Sequence, residues 1–200
     1  QSTIDFVNIK RSSYLLDNIK GTRNIIKVCK KNKIKNLIFS STASVYKEKN
    51  VPLSESVALE PNNIYGKTKL INEEDIKKKL KNSRTKFCIL RFFNVCSSLK
   101  DYKIGEFHSP ETHLIPKVIN SILNKKKIDV YGNKYETPDG TCIRDFIHIK
   151  DIINGILKSI KYLENHNSNT FNLGSARQFS VLDIIYKTSQ ILKTKPSIKV

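Results

Sequence analysis

Apolar residues along the chain switch between two spacings, and each switch marks an element. From Asn18 to Lys31, Ile19, Ile25, Ile26 and Cys29 recur at roughly helical spacing, which predicts a helix. Asn36-Leu37-Ile38-Phe39-Ser40 is a short apolar run that predicts a strand buried on both faces. Tyr65 to Leu80 reads as a helix entered after Pro61. Phe87 to Phe92 reads as a second buried strand, Leu114 to Leu123 as a helix and Ile128 to Tyr131 as a short strand. Ile149 to Leu163 is helical, and Phe171-Asn172-Leu173 is strand-like. Ser180-Val181-Leu182-Asp183 opens a last helix with a Ser-x-x-Asp variant of the capping box.

Strands alternating with helices predict an α/β fold with a mainly parallel sheet. In such sheets the chemistry collects at the carboxyl ends of the strands. Ser40-Ser41-Thr42 and Arg91-Phe92-Phe93-Asn94 each follow a strand and are the first places to look.

Composition narrows the classes. With 200 residues, 38% apolar and 27% charged, the chain can bury a core without disulfide or metal staples. The formal net charge is +18. The basic residues are scattered, and the runs Lys77-Lys78-Lys79 and Lys125-Lys126-Lys127 lack interleaved aromatics. Each lies near the end of a helix-like segment, where a cation suits the helix dipole. A solvated surface is therefore expected, with no nucleic-acid partner. Cys29, Cys88, Cys96 and Cys142 form no C-x-x-C pair, so neither a disulfide framework nor a metal centre is expected. No secretory signal and no apolar run long enough to span a bilayer is present. A cytoplasmic setting with no membrane partner is the expectation.

The strongest local signal is Tyr65-Gly66-Lys67-Thr68-Lys69. Residues four apart in a helix share a face, so Tyr65 and Lys69 point the same way. An ammonium near a phenol favours the phenolate and makes tyrosine a usable general base near neutral pH. A chance pair on one face would look the same. Thr42 ends a strand upstream, where its hydroxyl can reach the tyrosine or substrate oxygen, or simply cap the strand end.

Several strings then converge. FSSTASVY, SES and PNNIYGKTK resemble the extended short-chain dehydrogenase/reductase family. RFFNV, GEFHSPETHLIP, VYGNKYETPDGTCIRDFIHIKDI and FNLGSARQFSV follow in order and resemble its UDP-glucose 4-epimerase (UDP-galactose 4-epimerase) branch. The block YETPDGTCIRDFIHIKD is the most specific of these. The resemblance implies a partial Rossmann-like doubly wound parallel sheet over residues 1–95. Residues 96–200 would be mostly a smaller mixed α/β substrate-binding lobe, with elements returning to the first domain. It implies NAD as cofactor and UDP-glucose/UDP-galactose as substrates. The activity would be interconversion by oxidation and re-reduction at sugar C4, with a homodimer as the possible assembly. Tyr65 is similar to the catalytic base, Lys69 to its partner and Thr42 to the hydroxyl beside it. Asn18, Ser40, Ser41 and Phe92, together with Tyr65 and Lys69, match cofactor positions. Asn94, His113, Leu114 and Arg144, with Thr42, match nucleotide-sugar positions. A guanidinium suits a diphosphate, although Arg144 could equally pair with the adjacent Asp145. His148, beside apolar residues, is assigned no chemistry.

The chain departs from the family in its glycines. It has seven, none spaced as a dinucleotide-binding loop, and the acidic ribose partner is not identifiable. Gln1 to Ser13 reads as sequence from within a first domain, and the whole reads as a fragment of a longer protein. Two smaller departures are Lys47 and the Val95-Cys96-Ser97-Ser98 stretch, where glycines are usual. Other readings are another NAD-dependent nucleotide-sugar epimerase, a dehydratase, or an inactive truncated remnant binding polyanions. A dehydratase needs an acid/base pair after the Ser/Thr, and Ala43-Ser44 stands there instead.

Overall fold

The computed structural model of the chain describes residues 15–47, 52–99, 101, 103–106 and 108–199. Gln1 to Ser13, expected to come from within a first domain, lies outside the described residues. The chain divides into two compact units, residues 1–93 with 151–173, and residues 94–150 with 174–200.

The first unit is built on a parallel sheet. Strand β1 (Asn36–Thr42) pairs with β2 (Lys86–Phe92), and β2 pairs with β6 (Asn169–Leu173). Helices α1 (Gly21–Lys31) and α2 (Ile64–Leu80) pack on one face, and α4 (Ile149–Asn165) on the other. The period of two in β2 feeds both layers. Phe87 and Ile89 join Ile26, Ile76 and Leu80 on one side, whereas Cys88 and Leu90 join Leu163 on the other. Central β2 is therefore apolar on both faces, as expected of a buried parallel strand. Strand β1 was expected to be buried on both faces as well. Its Leu37, Ile38 and Phe39 are only half-buried, because among the described residues β1 pairs on one side alone, with β2.

One polar group interrupts this apolar alternation. Arg91 follows Ile89 on the α2 face of β2 and is 2% exposed; Glu73 of α2 is 0% exposed. Arg91 Nε donates to Glu73 Oε1 at 3.0 Å, and Nη2 donates to Oε2 at 2.7 Å. This is the bidentate geometry that suits a guanidinium. Ser41 Oγ of β1 donates to Glu73 Oε1 at 2.5 Å. Arg91 Nη1 donates to Tyr46 Oη at 2.7 Å, which in turn donates to Asn172 Oδ1 of β6 at 2.7 Å. Burial alone would lower the Arg91 pKa; the hydrogen bonds from the guanidinium to Glu73 and Tyr46 outweigh it and raise the value instead.

The second unit holds a sheet of order β3-β5-β7 and a two-stranded pair. Strand β3 (Asn94–Cys96) runs parallel to β5 (Ile143–His148), and β7 (Gln178–Ser180) runs antiparallel to β5. Strand β4 (Lys127–Asp129) pairs in parallel with β8 (Ser197–Lys199). Helices α3 (Leu114–Leu123) and α5 (Val181–Leu192) close a core of Val118, Ile122, Ile128, Val130 and Ile185. The capping box at Ser180 forms: its hydroxyl accepts from the Asp183 amide, whose carboxylate accepts from the Ser180 amide.

Helices were placed more closely than strands. Leu114–Leu123 and the Val181 start match. The helix expected over Asn18 to Lys31 is present, as a π-helical turn over Leu15–Lys20 that runs directly into α1. The strand expected over Ile128 to Tyr131 spans Lys127–Asp129; the Val130 amide adds one more bond to the Lys199 carbonyl of β8, and Tyr131 is exposed. Strands β3, β5, β7 and β8 carry too few apolar residues to announce themselves.

Two stability predictions follow from these networks. Removing either partner of a buried pair strands the other charge, so Glu73→Ala and Arg91→Ala should each lose about 3–5 kcal/mol. Urea midpoints measure this, and Glu73→Leu combined with Arg91→Met should regain most of the loss. In the second unit, burial raises the Asp139 pKa, but hydrogen bonds from Ser180 and Thr141 outweigh it and hold the carboxyl below its ordinary value. Such a group stabilises the fold above its unfolded pKa, and the contribution fades as pH falls through the folded pKa. Asp139→Asn should therefore lower the urea midpoint at neutral pH and converge with the parent in strong acid.

Candidate active site

The site grows from the start of α2. Asn63 caps it, its Oδ1 accepting from the Gly66 amide at 2.7 Å. Tyr65 and Lys69 then lie one turn apart. Lys69 Nζ is 5.8 Å from the centre of the Tyr65 ring and 5.0 Å from that of Phe39. It donates to the Ser40 carbonyl at 2.9 Å. The carboxyl-terminal part of β1 therefore fixes the ammonium beside the phenol. Burial pushes the Lys69 pKa below its ordinary value.

The neighbouring positions have structural roles. Ser40 lies in the strand as expected, and β1 runs on through Ser41 to end at Thr42. The Ser40 carbonyl receives Lys69, and the Ser41 hydroxyl is committed to Glu73. Thr42 Oγ1 accepts from the Ser44 amide at 3.1 Å and caps a short turn over Ala43–Val45. Asn18 is buried; its Nδ2 donates to Thr68 Oγ1 at 3.1 Å and its carbonyl accepts from Asn72 Nδ2 at 3.0 Å. Asn18 thus ties the Leu15–Lys20 turn to α2. Phe92 ends β2 and packs on the Cys88, Leu90 and Leu163 core.

The second unit carries the other four candidates. Asn94 Nδ2 donates to the Asp145 carbonyl at 2.9 Å and joins β3 to β5. His113 stands just before α3, and both its amide and Nδ1 face Glu111 Oε1, at 2.8 and 3.2 Å. Leu114 packs on the Val118 core. Arg144 is exposed on β5, opposite Phe179 of β7, and its Nη1 donates to the Ile143 carbonyl at 3.2 Å. The Asp145 carboxylate accepts from the Ser175 amide and hydroxyl and from the Ala176 amide.

Comparison with known proteins identifies the family. The family described as "NAD dependent epimerase/dehydratase family" matches residues 1–174. This chain belongs to that family. A UDP-glucose 4-epimerase of Lactobacillus helveticus is 35% identical over 185 residues, 91% of this chain and 56% of the relative. One of Lacticaseibacillus casei is 37% identical over 175 residues, 86% of this chain and 53% of the relative. The crystal structure of UDP-glucose 4-epimerase from Brucella ovis in complex with NAD superposes with a TM-score of 0.88 at 33% identity. That match covers 94% of this chain and 59% of the other. The fold is thus the Rossmann-like α/β arrangement with parallel sheets. The chain spans a little over half the length of the curated relatives it matches.

Within this epimerase/dehydratase chain, sequence reasoning missed Tyr46 and Glu73, and singled out Arg91 only for its place at a strand end. A charged residue inside an apolar run, as Arg91 is in Phe87 to Phe92, was the available signal. His148, given no chemistry, has a structural role. Its Nδ1 accepts from the Lys150 amide at 3.0 Å and its Nε2 lies 2.5 Å from Ser97 Oγ. The motif block around Asp139 is a staple. Its carboxylate accepts from the Thr141 amide and hydroxyl at 2.8 Å and from the Ser180 hydroxyl. Gly66, between the two candidate residues, has a steric reason. A Cβ there would meet the Ser44 carbonyl oxygen at 2.2 Å. Gly66→Ala should therefore push α2 off the Ala43–Val45 turn. A destabilisation of about 1–3 kcal/mol, the usual cost of overpacking, should appear in urea unfolding despite the better helix propensity of alanine.

Proposed function

We propose that the chain carries the catalytic base of an NAD-dependent UDP-glucose/UDP-galactose 4-epimerase, with Tyr65 as base and Lys69 as its partner. The observation that carries this reading is the Lys69 ammonium, bonded to the Ser40 carbonyl and standing 5.8 Å from the Tyr65 ring. Tyr65, Lys69 and the carboxyl-terminal part of β1 suit the nicotinamide side of NAD, because ligands of parallel sheets collect there. Lys69, with Ser40, would hold that end, and Asn18, Ser41 and Phe92 would shape it. Bound NAD would supply hydride acceptance from sugar C4 and its later return.

The protein's own residues handle the proton. Tyr65 takes it from the sugar 4-hydroxyl as the carbon becomes a ketone, with Thr42 beside it, and returns it when the opposite face is reduced. Lys69 keeps the phenolate accessible near neutral pH. The 4-keto sugar must turn between the two steps, so the holding must be confined to the nucleotide diphosphate. Asn94, His113, Leu114 and Arg144 of the second unit are our candidates for that role. The first unit would then belong to the cofactor domain and the second to the substrate lobe. Dehydration would need a carboxylate directly after Thr42, and the Ala43–Val45 turn carries none. No helix among the described residues is long and apolar enough to cross a membrane, and we propose a cytoplasmic enzyme acting on a small nucleotide sugar and not on nucleic acid. Ile64 and Ile71 are exposed on α2 and support a homodimer.

UDP-galactose turnover by the NAD-loaded protein tests this reading. Tyr65→Phe should lower kcat by at least about 100-fold, the scale of lost general-base catalysis, with an unchanged circular dichroism spectrum. Full activity in that variant would remove Tyr65 from the chemistry.

A further inference from the structure

The segment ahead of α3 gathers three side chains, of which the epimerisation reading uses only His113. Glu106, His108 and His113 each present a ligand atom, and these atoms lie within 4.8 Å of one another. His108 Nε2 is 2.6 Å from Glu106 Oε1, and His113 Nδ1 is 3.8 Å from the same oxygen. The two imidazole rings lean together with centres 5.0 Å apart. Donors around a tetrahedral ion at about 2.1 Å stand about 3.4 Å from one another, so small side-chain turns bring this set to coordinating distance. Glu111 Oε1, 3.2 Å from His113 Nδ1, offers a fourth oxygen. Its position is fixed by the Thr112 and His113 amides, which both donate to it at 2.8 Å. Glu106, His108 and His113 are each partly open to solvent, so an ion can enter and leave.

We propose that Glu106, His108 and His113 form a binding site for a divalent transition ion of the zinc class. Two imidazoles and a carboxylate are the donor set that such borderline ions select, whereas magnesium and calcium prefer all-oxygen cages. Binding has a consequence for activity. A coordinated His113 is withdrawn from the nucleotide sugar, so the ion competes with substrate; this consequence rests on the substrate role proposed above for His113, and binding itself does not.

Zinc titrated into metal-free protein, with a chromogenic chelator as competitor, measures the site. One zinc per chain should bind, and His108→Ala and Glu106→Gln should each weaken it at least about tenfold, since even outer-shell partners cost that much. His166→Ala, at a histidine bonded to Tyr162 in α4, should bind as the parent does. Absence of binding, or equal binding in His108→Ala, overturns the proposal. In the NAD-loaded protein, zinc should raise KM for UDP-galactose several-fold in the parent and little in His108→Ala. Zinc binding with an unchanged KM would uphold the metal site and refute the substrate role of His113.

Discussion

The buried ion pair between Glu73 and Arg91 is the constraint on which the first unit depends. A guanidinium and a carboxylate taken out of water must satisfy each other and nearly every remaining donor and acceptor. That requirement fixes α2 over β2 through Glu73, brings in β1 through Ser41 and reaches β6 through Tyr46 and Asn172. Apolar packing of Ile76, Leu80 and Ile89 alone would tolerate sliding of the helix along the sheet. The hydrogen bonds do not, because each has a narrow distance and angle.

The position of the candidate catalytic pair follows from that clamp. Lys69 lies one turn before Glu73 on α2, and its acceptor, the Ser40 carbonyl, lies one residue before Ser41. Both ends of the Lys69–Ser40 contact are therefore adjacent to residues bonded to Glu73. The start of α2 is set by a second device, the close approach of Gly66 to the Ala43–Val45 turn. Thr68 and Asn72 add a third, through Asn18. Asn18 matched a cofactor position by resemblance, and the structure gives its amide and carbonyl work in holding α2.

The second unit is organised differently. Its most distinctive sequence block contains few apolar residues, and its order comes from polar staples. Asp139 gathers Thr141 and Ser180, and Asp145 gathers Ser175 and Ala176. Gly140 adopts a positive φ of 74° and admits the Asn133 carbonyl where a Cβ would clash at 2.3 Å. Arg144 and Asn94 are thereby held on paired strands.

Much of this was legible in the sequence. Helices α1, α3, α4 and α5 showed in the apolar spacing, because a helix that buries one apolar face leaves a periodic trace; α2 leaves little, since Thr68, Asn72 and Glu73 are among the residues it buries. The pairing of Tyr65 with Lys69 was legible from helix geometry, since four residues make about one turn. Strands β3, β7 and β8 were not, because three residues are too few to show a period; β5 was hidden by its charged Arg144 and Asp145. The tertiary structure alone decided the partners of Glu73, Arg91, Tyr46 and Asn172. These lie up to 126 positions apart, and which buried charge meets which depends on how sheet and helix stack. The sequence by itself determined which residues share a helix face and which family the motifs resemble. Only the folded chain decided that Lys69 reaches the Ser40 carbonyl and that Ser41 is committed to Glu73, because hydrogen-bond geometry is set by three-dimensional placement and not by residue type.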